Sequence, residues 1–178
     1  MFPPAGIAVA ALLIGGWRLL PGIWVGSLCI NIIAGFETGL EGIRWLTPLA
    51  IATGASVQAT LAVWLVRRWV GFPNPLDTAR DIVRFLLLAG PVACVVNPSI
   101  SIPMLVADGT VPASESLFSW MNWWAGDALG VLLFAPLVLI LFAEPRREWL
   151  ARRRMVAFPL VFAFVVLSGM IYQIGRWE

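Results

Sequence analysis

Asp127 stands in the stretch WMNWWAGDALG, Trp120–Gly130, which opens an apolar run continuing to Phe142. Trp120, Trp123, Trp124 and Asp127 follow the i, i+3, i+4, i+7 pattern and so share one helical face. Gly126 and Gly130 form a small-xxx-small pair beside that face, where another helix can approach closely. An acid so placed can bind a ligand or cation, carry a proton, or fix helix packing through hydrogen bonds.

Depth sharpens the point. Counted from Phe118, Asp127 lies about 14 Å along a helix at about 1.5 Å per residue, near the midplane of a ~30 Å hydrocarbon core. A carboxylate there costs at least about 2.5–3.5 kcal/mol, and such residues face a bundle interior or a wet cavity. Asn31 and Gln58 reach a similar depth in their own runs, about 14–17 Å, while Asn97, beside Pro98, falls nearer the outer side. Together with Asp127 they are candidates for one polar pocket, with Trp123 and Trp124 as its wall. No arginine falls well inside a span. The charge must therefore be met by amide or indole donors, by a bound cation or small ligand, or by protonation. Each residue also has a plainer role available: Trp120 in an interfacial aromatic belt, Asn31 and Gln58 as interhelical hydrogen-bonders.

The elements that must position these residues are membrane helices. The 178 residues are 60% hydrophobic and 12% charged, with a mean hydropathy of +0.89. Ordinary soluble domains are about 45–50% apolar and about 25% charged, so the solvent for this chain is lipid. The fold class is an all-α, polytopic transmembrane bundle, a single membrane-integral domain over residues 1–178. About six spans can be read: Pro4–Trp17, Pro21–Phe36, Thr47–Val66, Arg84–Val106, Phe118–Phe142 and Val156–Gln173. The first two are short for a bilayer that takes about 20 residues to cross. The fourth carries Pro91, Pro98 and Pro103 and is expected to be kinked or broken. Asp77 or Thr78 is placed to cap the helix leading into it. Pro21 and Gly22 open the second span as a packing turn.

Arginine placement sets the orientation, because cytoplasmic loops retain basic residues. Alternate connections hold ten of the twelve basic residues, all arginine. Among them, Arg146, Arg147, Arg152, Arg153 and Arg154 form a cytoplasmic anchor before the sixth span, with phospholipid head groups as a further contact. The pattern puts Met1 on the outer side without a basic anchor: either the N-terminus is translocated or, the favoured reading, a preceding helix is absent from this sequence. The chain has two cysteines and no histidine, which argues for packing thiols and against imidazole-held haem or zinc. No cofactor, metal site or nucleic-acid partner is indicated. An enzyme is disfavoured, because one acid without a nucleophile–base pair or phosphate loop is not a catalytic site.

Four stretches together carry a resemblance: PPAGIAVAALLIGG (Pro3–Gly16), PGIWVGSLCIN (Pro21–Asn31), RDIVRFLLLAG (Arg80–Gly90) and WMNWWAGDALGVLLFAPL (Trp120–Leu137). Over about Pro3 to Phe142 the sequence resembles the MASE1 family of bacterial membrane-integral sensory domains, most specifically in its W-W-x-G-D-x-x-G element. The resemblance implies an inner-membrane, multi-pass input module. It would pass a signal to a cytoplasmic diguanylate cyclase, phosphodiesterase or histidine kinase module, in cyclic di-GMP or two-component signalling. It also implies site residues at Trp123, Trp124, Gly126, Asp127 and Gly130, with Asn31 and the Pro21–Gly22 turn. The family carries more spans than are read here and an initial helix before its P-x-G element, so the sequence is expected to be a fragment, a truncated member or a stand-alone remnant, with the output module absent from it. Two other classes fit the residues: a small substrate-binding transport component, and an accessory subunit packed against a partner membrane protein.

Overall fold

The computed structural model describes residues 2–38, 45–72 and 78–142, all of them in helices, turns or short connections. The chain divides into two compact units, Met1–Ala135 and Pro136–Glu178. Of the second, only Pro136–Phe142, the end of a helix, is among the described residues. The sixth span and the anchor arginines Arg146, Arg147, Arg152, Arg153 and Arg154 lie outside them.

Six α-helices run through the described residues: α1 (Pro3–Gly15), α2 (Leu20–Thr38), α3 (Leu46–Trp69), α4 (Ala79–Leu87), α5 (Val96–Ala107) and α6 (Ser116–Phe142). Among the described residues, four apolar stretches are long enough to cross a membrane: Trp17–Gly35, Leu46–Trp69, Ala79–Ala107 and Ala113–Leu139. α1 is shorter. Its two leading prolines occupy the first turn, where a missing N–H costs little. It ends at Gly16, whose φ of 72° suits a residue without Cβ and whose N–H donates to Leu12 O at 3.0 Å.

The expected interruption of the fourth span is present. α4 gives way to a π-helical turn at Leu88–Val92 containing Pro91, then a 3-10 turn at Ala93–Val95, before α5 resumes. Pro91 has no N–H to continue the ladder and its ring crowds the carbonyl four residues back. Pro98 falls in the first turn of α5, a tolerated place, and Pro103 lies inside that helix. At the start of α4 the cap is Thr78, which accepts from the Asp81 N–H at 3.2 Å. Its hydroxyl thereby meets one of the orphan donors of the first turn.

The described arginines gather at one end of this unit. There the Arg67 guanidinium lies 3.4 Å from Leu12 O and 3.5 Å from Leu13 O, and 5.5 Å from the Trp17 ring centroid. It thus adds a donor to carbonyls of the last turn of α1, of which Leu12 O already accepts from Gly16 N–H, at the negative end of that helix. Arg84 reaches Trp69 O at 3.4 Å, and Arg68 covers the Trp69 ring. At the other end of α3 the Thr47 hydroxyl donates to Asp108.

The core is built from small side chains. Ala10, Ala52, Ala59, Ala62, Ala89, Ala93, Ala128 and Ala135 are all buried, which lets backbones approach as membrane helices require. α2 packs on α3 and buries none of its apolar window; Val25, Ile30 and Ile33 face outward, as lipid-facing side chains do.

Candidate functional site

Asp127 is completely buried in the first unit. It sits about 17 Å along α6 from Ser116 at about 1.5 Å per residue. Its Oδ2 accepts two hydrogen bonds, from Gln58 Nε2 of α3 at 3.0 Å and from Asn97 Nδ2 of α5 at 3.1 Å. Gln58 and Asn97 are themselves 3% and 2% exposed, so these bonds form where water cannot replace them.

Both carboxamides are held in one orientation by a further bond. Gln58 Oε1 accepts from the Asn97 backbone N–H at 3.2 Å, which turns its NH2 group toward Asp127. Asn97 Oδ1 accepts from the Ser101 hydroxyl at 3.0 Å, which turns its NH2 the same way. A carboxamide has one acceptor oxygen and one donor nitrogen, so occupying the oxygen commits the nitrogen. The broken stretch at Pro91 lies next to this point. Val96 N–H turns back to Ala93 O, and the next N–H, that of Asn97, is met by Gln58.

The result is lopsided. Asp127 Oδ2 has two donors, while Oδ1 is buried with no hydrogen-bond partner. Buried polar atoms are nearly always paired, so such an atom calls for an explanation. The arrangement offers one free acceptor oxygen, on a carboxyl group clamped by two neutral amides, at the junction of three helices. It can hold a proton, or a ligand that donates to Oδ1.

The tryptophans of this face differ in what they contact. Trp124 donates its indole N–H to Pro91 O at 2.9 Å and so satisfies a carbonyl in the irregular turn. Trp120 stacks on Trp124, with centroids 6.2 Å apart and planes at 13°, and donates to the Ser99 hydroxyl at 3.1 Å. Trp123 is half-buried and forms no hydrogen bond with the Asp127 cluster.

Asn31 is placed elsewhere. It donates to Ser27 O one turn back on α2 at 2.7 Å, and α2 packs on α3. Pro21 lies beside Trp24 and Ser56 in a groove between α2 and α3, and a Cβ added at Gly22 would meet nothing. Gly126 and Gly130 are where α1 crosses α6: Phe2 N–H donates to Gly126 O at 2.9 Å. A Cβ built at Gly130 would stand 2.0 Å from Phe2 O.

Two contributors escape a reading by depth alone. Ser101, which orients Asn97, lies four residues after it. Gly54, four residues before Gln58, gives Asn97 its room: a Cβ there would fall 2.7 Å from Asn97 Oδ1. Both spacings are the i, i+4 of a helix face, and that was the available signal. Gly54→Ala is expected to push Asn97 off Asp127. Destabilisation of the solubilised protein by about 1–3 kcal/mol, the usual range for overpacking, should appear as a lowered denaturation midpoint.

Among the described residues no three of His, Cys, Asp and Glu converge as metal ligands. Cys94 is buried with its thiol 3.8 Å from Ala89 O, and Cys29 is exposed on α2.

Comparison with known proteins gives one finding. No curated protein and no solved structure matches the sequence, but the MASE1 family model matches residues 1–173, nearly the whole length. The chain therefore belongs to the MASE1 family, the membrane-integral sensory domains of signalling proteins.

Proposed function

We propose that this chain is a ligand-sensing input domain in a bacterial inner membrane, coupled to a cytoplasmic output of the diguanylate cyclase or histidine kinase type. The observation that carries the reading is the buried Asp127 carboxyl group, held on one oxygen by Gln58 and Asn97 and unpartnered on the other. A change at Oδ1 alters the pull on both amides and hence the seating of α3 and α5 against α6. α3 is suited to relay this. It carries Gln58 and, about 14 Å further along at about 1.5 Å per residue, Arg67, which grips the carbonyl end of α1 and Trp17. A ligand shifts such a system only by binding its two states with different affinities.

The test is signalling output in the native cell, read as cyclic di-GMP level and as kinase-dependent transcription. Asp127→Asn and Asn97→Leu should each shift output by about fivefold or more, the lower end for a coupling of about 1–3 kcal/mol. Unchanged output in both variants, with normal membrane levels of the protein, would remove the cluster from signalling. A transport component is the second reading, favoured by the broken helix beside the buried polar residues; substrate uptake by the reconstituted protein would select it.

A further inference from the structure

The reading of this cluster as a sensory site leaves its ligand open, and charge balance narrows the choice. Among the described residues, the side chains facing Asp127 from the packed helices are neutral: Gln58 from α3, and Asn97, backed by Ser101, from α5. α1 contributes no titratable side chain between Pro3 and Gly15; ahead of it the chain's terminal amino group acts on Asp127 through charge alone, with no hydrogen bond to Oδ1. The 3-10 turn before α5 contributes Cys94, whose buried thiol is within electrostatic reach of Asp127. The cations of α3, Arg67 and Arg68, sit at its far end, with Arg67 engaged on the carbonyls of α1. An ionised Asp127 would thus be a buried charge supported by two amide bonds on one oxygen and none on the other.

A metal cation is a poor match for this environment. Hard cations gather several oxygen ligands, whereas both amide oxygens here already accept bonds and both amide nitrogens point at the carboxyl group. A proton needs a single oxygen. With the proton on Oδ1, Oδ2 becomes the carbonyl oxygen of a neutral acid and keeps both amide bonds. The remaining cost is one hydroxyl without an acceptor, far smaller than that of an uncompensated buried charge.

We propose that the ligand of this site is a proton, carried on Asp127 Oδ1 in the packed arrangement described above. Binding forms one O–H bond on Oδ1 with a proton delivered by water, and release returns it to water. Loss of the proton leaves a charge on an oxygen without a donor, and that charge is relieved only by admitting water or reseating α6 against α3 and α5. This is the pair of states that the sensory reading requires.

Infrared spectroscopy of the reconstituted protein tests the proposal. The chain has four aspartates, Asp77, Asp81, Asp108 and Asp127, so aspartate carrying carbon-13 in its carboxyl group isolates their signals. A protonated-acid carbonyl band should be present at neutral pH, disappear on alkalinisation, vanish in Asp127→Asn and persist in Cys94→Ser. The labelled wild-type spectrum decides the matter even if Asp127→Asn folds poorly. Only ionised carboxylate bands at neutral and mildly acidic pH would overturn the proposal, as would carboxylate bands that respond to sodium or potassium in place of pH. Output in cells separates this failure from that of the sensory reading. If the acid band is absent but Asp127→Asn still shifts output, the proton is wrong and the sensor stands. If the band titrates but output ignores both pH and Asp127→Asn, the proton site stands and the sensory reading falls.

Discussion

Gly130→Ala is expected to destabilise the protein by about 3 kcal/mol or more, the upper end of the overpacking range, whereas Gly26→Ala is not. The difference lies in what the added methyl group meets. At Gly130 it would stand 2.0 Å from Phe2 O and 2.8 Å from the Phe2 carbonyl carbon. Gly6 opposes it: a Cβ there would be 2.3 Å from Gly130 O and 2.9 Å from Ala135 N. Each obstacle is backbone, and no rotamer change relieves it. α1 must lift from α6, losing the bond from Phe2 N–H to Gly126 O. At Gly26 a methyl group meets open space, and replacing a mid-helix glycine with alanine removes a backbone cost of about 0.5–1 kcal/mol. Denaturation followed by tryptophan fluorescence should place Gly130→Ala well below wild type and Gly26→Ala at or slightly above it. Equal midpoints would mean that the two helices do not cross at this glycine pair.

The Gly126–Gly130 pair was legible as a close-approach face because small residues four apart have one steric consequence whatever helix arrives. Which helix arrives was not legible. The same division runs through the rest of the fold. Helix cores were visible because bilayer burial selects directly for hydropathy. The ends were less so: α4 begins at Ala79, five residues before the apolar run at Arg84, because its first turn carries the charged Arg80 and Asp81, which hydropathy does not mark as helix. Depth singled out Asn31, Gln58 and Asp127 alike, with Asn97 nearer the outer side, but depth carries no information on azimuth. The turn of a helix about its axis decides which of them meet, and that is set by packing between residues distant in sequence. Asn31 has the depth but rides on α2, which lies on α3. Asn97 follows the broken stretch at Pro91 and gives its buried N–H to Gln58, so the proline that signalled a kink lies next to the site.

Gln58→Leu is expected to have the second large effect, because this side chain is the joint of the network. It accepts from the Asn97 N–H and donates to Asp127 Oδ2. Leucine fills a similar volume and does neither, leaving a buried backbone donor without an acceptor and Asp127 with a single donor. Each stranded group costs about 1–3 kcal/mol, so the variant should unfold at clearly lower denaturant. Asp127→Leu strands the two amide NH2 groups instead. The double variant removes the pair that attract each other and leaves less unmatched polarity than the separate changes together, so its loss should fall short of their sum by about 0.5–3 kcal/mol. Additive losses would mean that Gln58 and Asp127 do not bond in the membrane. A double variant that regains stability yet gives no signal would separate holding the helices together from sensing. It would place sensing in the carboxyl oxygen itself, because the apolar pair supplies packing and nothing for a proton or a donor to occupy.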